Sequence, residues 1–388
     1  MKGKFILSAI LLAATTLLIS CEKQGQQEVD PITEECTFSD NLTLTINGRT
    51  IKGCTAVYTP GLSGATIAIF GATVDIDKVI SDILPTYKGS GRNIVSSDII
   101  PGENFVKINV TPSFSDGKGS FEGNGTAKYC AFSYKGSVTK NSMVFDFRSL
   151  ALTSHQLAGT FWSIVRSTSS WHDMIILDWS YSKKPAVSLY DSIQTLLSLS
   201  SLAGVSIDEY IARVISGVNL YADGMFTLDS MNGSSIKETV KGSADFVVLP
   251  SKEILVHPEA EVIIKALDLD KKAKAGIDMN KIAAVVSDYT TNIAGNGIPI
   301  AYSLNGSELS LWFEEDAICD FLQMITKLLN IDGVENALYE SIRESIPGTS
   351  GEAVVTLIKQ LVPHLQSNID HTKSAKFGFK FKAKSIAS

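Results

Sequence analysis

The chain has 388 residues, 44% of them hydrophobic and 19% charged, with a formal net charge of −7. That balance suits a globular protein with a sizeable core, and the length suits two domains. The acidic sign and the lack of a basic tract leave no electrostatic footprint for nucleic acid.

Lys2 and Lys4 precede an apolar run from Phe5 to Ile19. At about 15 residues the run is short for a transmembrane helix, which needs about 20. Its layout is that of a secretory signal peptide over residues 1–20. The ending Leu18-Ile19-Ser20-Cys21 resembles a bacterial lipobox. That resemblance implies a lipidated Cys21 as mature N-terminus, anchoring the chain to a membrane of a Gram-negative cell envelope, with the outer membrane the expected one. Residues 21–40 are polar and acidic, too poor in apolar groups to offset ordering, and read as a flexible tether.

From residue 41 the pattern is β. Leu42, Leu44 and Ile46 alternate with polar residues before Asn47-Gly48, a strong hairpin cue. Strand-like runs follow at "GATIAIFGATVDI", "NFVKINVTP" and "AKYCAFSYKGSVTKNSMVFDF", while Ile76, Val79, Ile80 and Ile83 recur at helical spacing. Short strands between regular turns predict an all-β domain over 41–153, a sandwich or barrel.

A second module is predicted over 154–388. "GTFWSIVRS", "DMIILDWSY", "VNLYADGMFTLDS", "ADFVVLPSKEILVHP" and "IPIAYSLNGSELSLWF" read as strands, with hairpin cues at Asp223-Gly224 and Asn305-Gly306. Helical spacing marks 188–216, 279–293, 333–345 and 350–366. It is clearest in "EDAICDFLQMITKLLN", where Ile318, Phe321, Leu322, Ile325, Leu328 and Leu329 form one stripe. The chain closes on an alternating strand with Phe377, Phe379, Phe381 and Ala383 on one face and lysines on the other.

"LAGTFW" (Leu157–Trp162) resembles the G-x-W motif that opens the first strand of lipocalins and other calycins. Gly159 matches the motif's Gly, whereas Phe161 stands at the motif's Trp position and Trp162 follows it. With the lipobox and the hairpin-rich N-terminal half, the layout resembles a Bacteroidetes-type lipoprotein family of unknown function with calycin-like domains. The resemblance implies an α+β, β-rich fold: a β-sandwich or barrel followed by a calycin-like curved sheet or barrel with covering helices. It implies no activity.

Catalytic patterns are incomplete. Five histidines are scattered without zinc spacing. Ser180–Lys183 and Ser234–Lys237 fit S-x-x-K but lack the S-D-N and K-T-G companions. Lysines interrupt the Asp268, Asp270 and Asp278 cluster where a calcium loop needs oxygen ligands. No cofactor, metal site or enzyme chemistry is expected. An exported chain permits disulfides, yet a hairpin at Asn47-Gly48 sets Cys54 opposite Asn41 and away from Cys36. Buried free thiols are the favoured state, with Cys54–Cys130 the pairing best placed to form.

Aromatic residues are the more informative group. Large rings at a barrel mouth can cover lipids or stack on sugars. Phe161, Trp162, Trp171, Trp179, Tyr221, Phe226, Tyr302 and Trp312 are the candidate ligand-binding residues. The leading expectation is a non-catalytic module for a small apolar or glycan ligand. Its competitor is an envelope scaffold that docks a protein partner through helices 314–366.

Overall fold

A computed structural model describes residues 32–153, 156–167, 170–199, 206–232, 235–267 and 277–384. Cys21 lies outside the described residues. The first half carries β1 (Cys36–Phe38), β2 (Leu42–Ile46), β3 (Arg49–Ile51), β4 (Thr55–Gly61), β5 (Gly64–Phe70), β6 (Thr73–Asp75) and α1 (Ile76–Ile83). It continues with β7 (Ile94–Ser96), β8 (Phe105–Val110), β9 (Ser113–Ser115), β10 (Lys118–Thr126), β11 (Cys130–Val138) and β12 (Met143–Leu152).

Two sheets, ordered β1-β4-β5-β8 and β3-β2-β12-β11-β10-β9, share one apolar core, so this half is a sandwich. Period-two alternation sends Tyr58, Ile67, Ile69 and Ile108 inward from one sheet and Phe121, Phe145 and Phe147 from the other. One pairing is not a hairpin: β12 runs parallel to β2, with Phe145 opposite Leu44 and Phe147 opposite Ile46. The turn at Asn47 (φ 48°) and Gly48 (φ 82°) is tied to β12, because the Asn47 amide accepts from Leu150 N and donates to Leu150 O.

One expectation is corrected here. The described part of the predicted tether, 32–40, is built into the sandwich: Ile32 and Phe38 are buried, and β1 pairs with β4. Two apolar side chains facing the core outweigh the polar composition around them. Of the two alternatives for the thiols, the Cys54–Cys130 pairing is not the one formed. Both residues are buried free thiols, one leading into the four-stranded sheet and the other opening β11 in the six-stranded sheet.

The second half carries β13 (Thr160–Ile164), β14 (Ile175–Tyr181), α2 (Leu189–Leu197), α3 (Ile207–Val214), β15 (Gly217–Leu220), β16 (Phe226–Asn232), β17 (Ser235–Glu238), β18 (Ala244–Leu249) and β19 (Glu253–Pro258). Then come α4 (Ala260–Leu267), α5 (Met279–Asn296), β20 (Ile298–Asn305), β21 (Glu308–Glu314), α6 (Glu315–Leu329), α7 (Val334–Ser345), α8 (Thr349–Leu361), α9 (Leu365–His371) and β22 (Thr372–Ala383).

These strands form one sheet in the order β17-β16-β15-β13-β22-β21-β20-β19-β18, with β14 also paired to β22. The sheet curls until its ends meet at a bridge between Met225 and Asp245 and a hydrogen bond from Phe246 N to Gly224 O. That contact does not make a continuous barrel, so the curved sheet is the form adopted. The class is α+β. Trp162, Val218, Phe246, Ile254, Leu309 and Phe381 fill the concave side. No helix among the described residues is long and apolar enough to cross a membrane.

The halves share further cores. Ile76 and Ile80 of α1 pack with Ile264 of α4 and with Ala283 and Val286 of α5, a junction that hydropathy along the chain does not announce.

Candidate functional site

The central strand β22 sets up the site. Phe377, Phe379 and Phe381 alternate onto the concave face, where they oppose Phe313, Leu311 and Leu309 of β21. Across the other edge of β22, Phe379 opposes Ile175, Phe377 opposes Leu177, and Ala375 opposes Trp179. The Phe381 end is sealed inside the sheet core. At the Ala375 end the same face meets helices instead, with Trp179, Leu189, Leu322 and Ile369 packed together.

Between these packed ends lies a cavity of about 390 Å³. Its floor is Trp179, Ile298, Phe313 and Phe377 from four strands. Its roof is Ile318, Phe321 and Leu322 of α6, with Leu189 and Ile193 of α2 and Tyr289 of α5 to the side. The 3.6-residue stripe of α6 thus has two uses: it packs the helix down and lines the space beneath it. Phe321 keeps 48% of its surface exposed and meets Tyr289 edge-on at 6.5 Å, so the cavity opens to solvent there.

Polar groups fix the walls without entering the chemistry of the space. Asn368 of α9, fully buried, accepts from Leu189 N at 2.7 Å and from the Tyr181 hydroxyl at 2.8 Å, and donates to Val187 O at 2.9 Å. Ser188 caps α2 by accepting from Asp191 N. Together they hold Leu189 at the cavity edge. The Trp179 indole N–H donates to Thr372 Oγ1 at 3.0 Å, which leaves the apolar part of its buried ring to line the cavity. Burial, then the Asp320 charge, raises the Tyr289 phenol, and burial followed by Glu315, Asp316 and Asp320 raises the neighbouring Cys319 thiol. Both groups are held neutral.

Of the eight aromatics predicted from sequence, Trp179 alone lines this cavity. Trp162, Phe226 and Tyr302 are buried in the sheet core, because the concave side is packed where a hollow barrel would be open. Phe161 and Tyr221 meet edge-on at 5.3 Å beyond the opposite face, where the Tyr221 hydroxyl donates to Glu238. Trp171 stacks on the adjacent His172. Trp312 donates to Glu314 and lies under Lys376. The His172 ring is therefore engaged with Trp171 on an exposed turn. The residues that sequence reasoning missed, Phe377 and the α6 trio, were visible as apolar stripes; what was not visible was a gap between them.

Comparison with known protein families, curated proteins and solved structures found no match to this chain.

Proposed function

We propose that this chain is a lipid-anchored envelope protein that holds a small, uncharged apolar ligand beneath α6 and performs no chemistry on it. The observation that carries the reading is the cavity's composition. Its eleven lining side chains are all apolar or aromatic, with the Trp179 indole and the Tyr289 phenol the only polar atoms among them. Its volume falls in the range of about 300–1,000 Å³ typical of ligand sites.

This composition favours an apolar ligand over a glycan, whose hydroxyls would lose water and find few partners. Withdrawing roughly 200 Å² of apolar ligand surface from water is worth about 5 kcal/mol at about 25 cal/mol per Å². That contribution by itself corresponds to binding of roughly 0.2 mM strength. The lining offers no carboxylate, imidazole or thiol to act as acid, base or nucleophile. The half-exposed Phe321 also suits a protein partner docking on helices 314–366, but its place at the cavity mouth accounts for that exposure.

Anchoring through Cys21 fits the same role. Each buried acyl CH₂ contributes about 0.8 kcal/mol, and more than one chain gives stable attachment. Two experiments test the proposal. Native mass spectrometry of protein from its own envelope should show a co-purifying apolar molecule, and the environment-sensitive dye N-phenyl-1-naphthylamine should bind the delipidated protein saturably. Failure of both sinks the ligand reading. Palmitate labelling that persists after Cys21→Ala sinks the anchor.

A further inference from the structure

Asp245 and His257 are directly opposed in the β18–β19 ladder, so the pleat sends both side chains to one face. Asp98 meets them from the other half of the molecule, on the segment just after β7. His257 Nδ1 lies 3.3 Å from Asp98 Oδ2 and 3.7 Å from Asp245 Oδ1. All three atoms lie within 4.8 Å of one another. Each of these atoms is buried and makes no hydrogen bond of good geometry, with His257 within ion-pair distance of both carboxylates.

Buried polar atoms are ordinarily paired, and this junction shows how a paired one is built. Nearby Asp77 receives hydrogen bonds from Tyr87, Ser90, Gly91, Asn93 and Ser287. The Asp98 cluster has far fewer donors, the Gly102 backbone amide and the His257 imidazole itself. Its separations of 3.3 and 3.7 Å are long for hydrogen bonds, which run at about 2.7–3.2 Å for N–H···O. They come close to those of neighbouring ligands of a tetrahedral ion, where bonds of about 2.0–2.2 Å place the ligand atoms about 3.3–3.6 Å apart.

We propose that Asp98 Oδ2, Asp245 Oδ1 and His257 Nδ1 form a three-ligand site for a divalent transition metal of the zinc class, clamping the N-terminal sandwich to the curved sheet. The imidazole selects against calcium and magnesium, which take oxygen ligands, and one nitrogen with two carboxylates suits zinc and its first-row neighbours. Two positive charges offset the two carboxylates.

The surroundings agree. Gly297, at φ +75°, brings its backbone against the imidazole edge, where a Cβ would lie 2.8 Å from His257 Cδ2 and Nε2; this packing fixes the ring. Asp98 and Asp245 also line a cavity of about 320 Å³ with Arg49, Cys54 and Glu259.

The test uses the untagged full chain, stripped by chelator and titrated with Zn²⁺ in a calorimeter. The expected result is one ion per chain, with affinity reduced at least 100-fold in both Asp245→Asn and His257→Asn. No binding at micromolar Zn²⁺, or unchanged binding in the folded variants, overturns the site. Should the variants fail to fold, pulsed electron paramagnetic resonance of the Cu²⁺-loaded wild-type chain decides: one coordinated imidazole supports the site, and none or several overturns it.

Discussion

The Ser287 hydroxyl donates to Asp77 Oδ1 at 2.5 Å, joining helices from opposite halves of the chain. Tyr87 donates to the same oxygen at 2.8 Å, and the Gly91 amide reaches Oδ2 at 3.0 Å. The carboxylate is buried, so removing it strands several donors together. Asp77→Ala should cost about 2–4 kcal/mol, the range for breaking a buried network. Urea unfolding measures this, and a loss below about 0.5 kcal/mol would show that the network does not form.

The same carboxylate sets a pH dependence. Burial alone would raise its pKa, but hydrogen bonds from Ser287, Tyr87, Asn93 and Gly91 outweigh burial and hold it below the ordinary value of 3.8. A depressed carboxylate contributes stability that is complete above the unfolded-state pKa and lost as pH falls through the folded-state value. Wild-type protein should therefore lose stability as pH drops below about 4, and Asp77→Asn should show a shallower slope there. Equal slopes in acid titrations followed by circular dichroism would contradict the assignment.

Filling the cavity should block it. In Ile318→Trp the added rings occupy the space under α6, so dye uptake should fall at least tenfold. Overpacking a core costs about 1–3 kcal/mol; a pre-existing space should keep the cost near or below the lower figure. Unchanged uptake in the folded variant would place the ligand elsewhere.

Buried thiols make their own prediction. Burial, then the Glu103 charge, pushes Cys130 up to about 12, so little thiolate exists at neutral pH. A thiol reagent should modify it only after denaturant is added, and reducing agent should leave the melting temperature unchanged. A drop in melting temperature on reduction would reveal a disulfide.

Phe38 tests the boundary of the sandwich. It is fully buried between the sheets, so Phe38→Ala should cost about 3–5 kcal/mol by cavity formation. A tether residue would cost nothing, and thermal melts separate the two outcomes.

Much of the element map was legible because turns and periodicity are local. Asn47-Gly48, Asp223-Gly224 and Asn305-Gly306 each mark a hairpin between paired strands, and the α6 stripe gave a helix over nearly its whole length. "SDGKGSFEGNG" has the composition of a loop, yet the turn at Asp116-Gly117 feeds a nine-residue strand, β10. Alternate glycines there leave room for the rings of β11, as where Gly123 lies against Tyr134, and this hides the β pattern from hydropathy. Two of the three ligands of the proposed metal site were also within reach: a tight β18–β19 hairpin pairs Asp245 with His257 by counting. Asp98 was not, since nothing local ties it to that hairpin.

By itself the sequence determined which residues turn inward from their own strand or helix, because burial imposes a period of two or 3.6 on any element that covers a core. Only the tertiary structure decided what each inward face meets. It set Phe147 beside Ile46, Ser287 beside Asp77 and α6 above Phe377. It also decided that packing between the last pair is incomplete. Such contacts join positions scores of residues apart, and their energy depends on shape and on unsatisfied polar atoms, which no periodicity records.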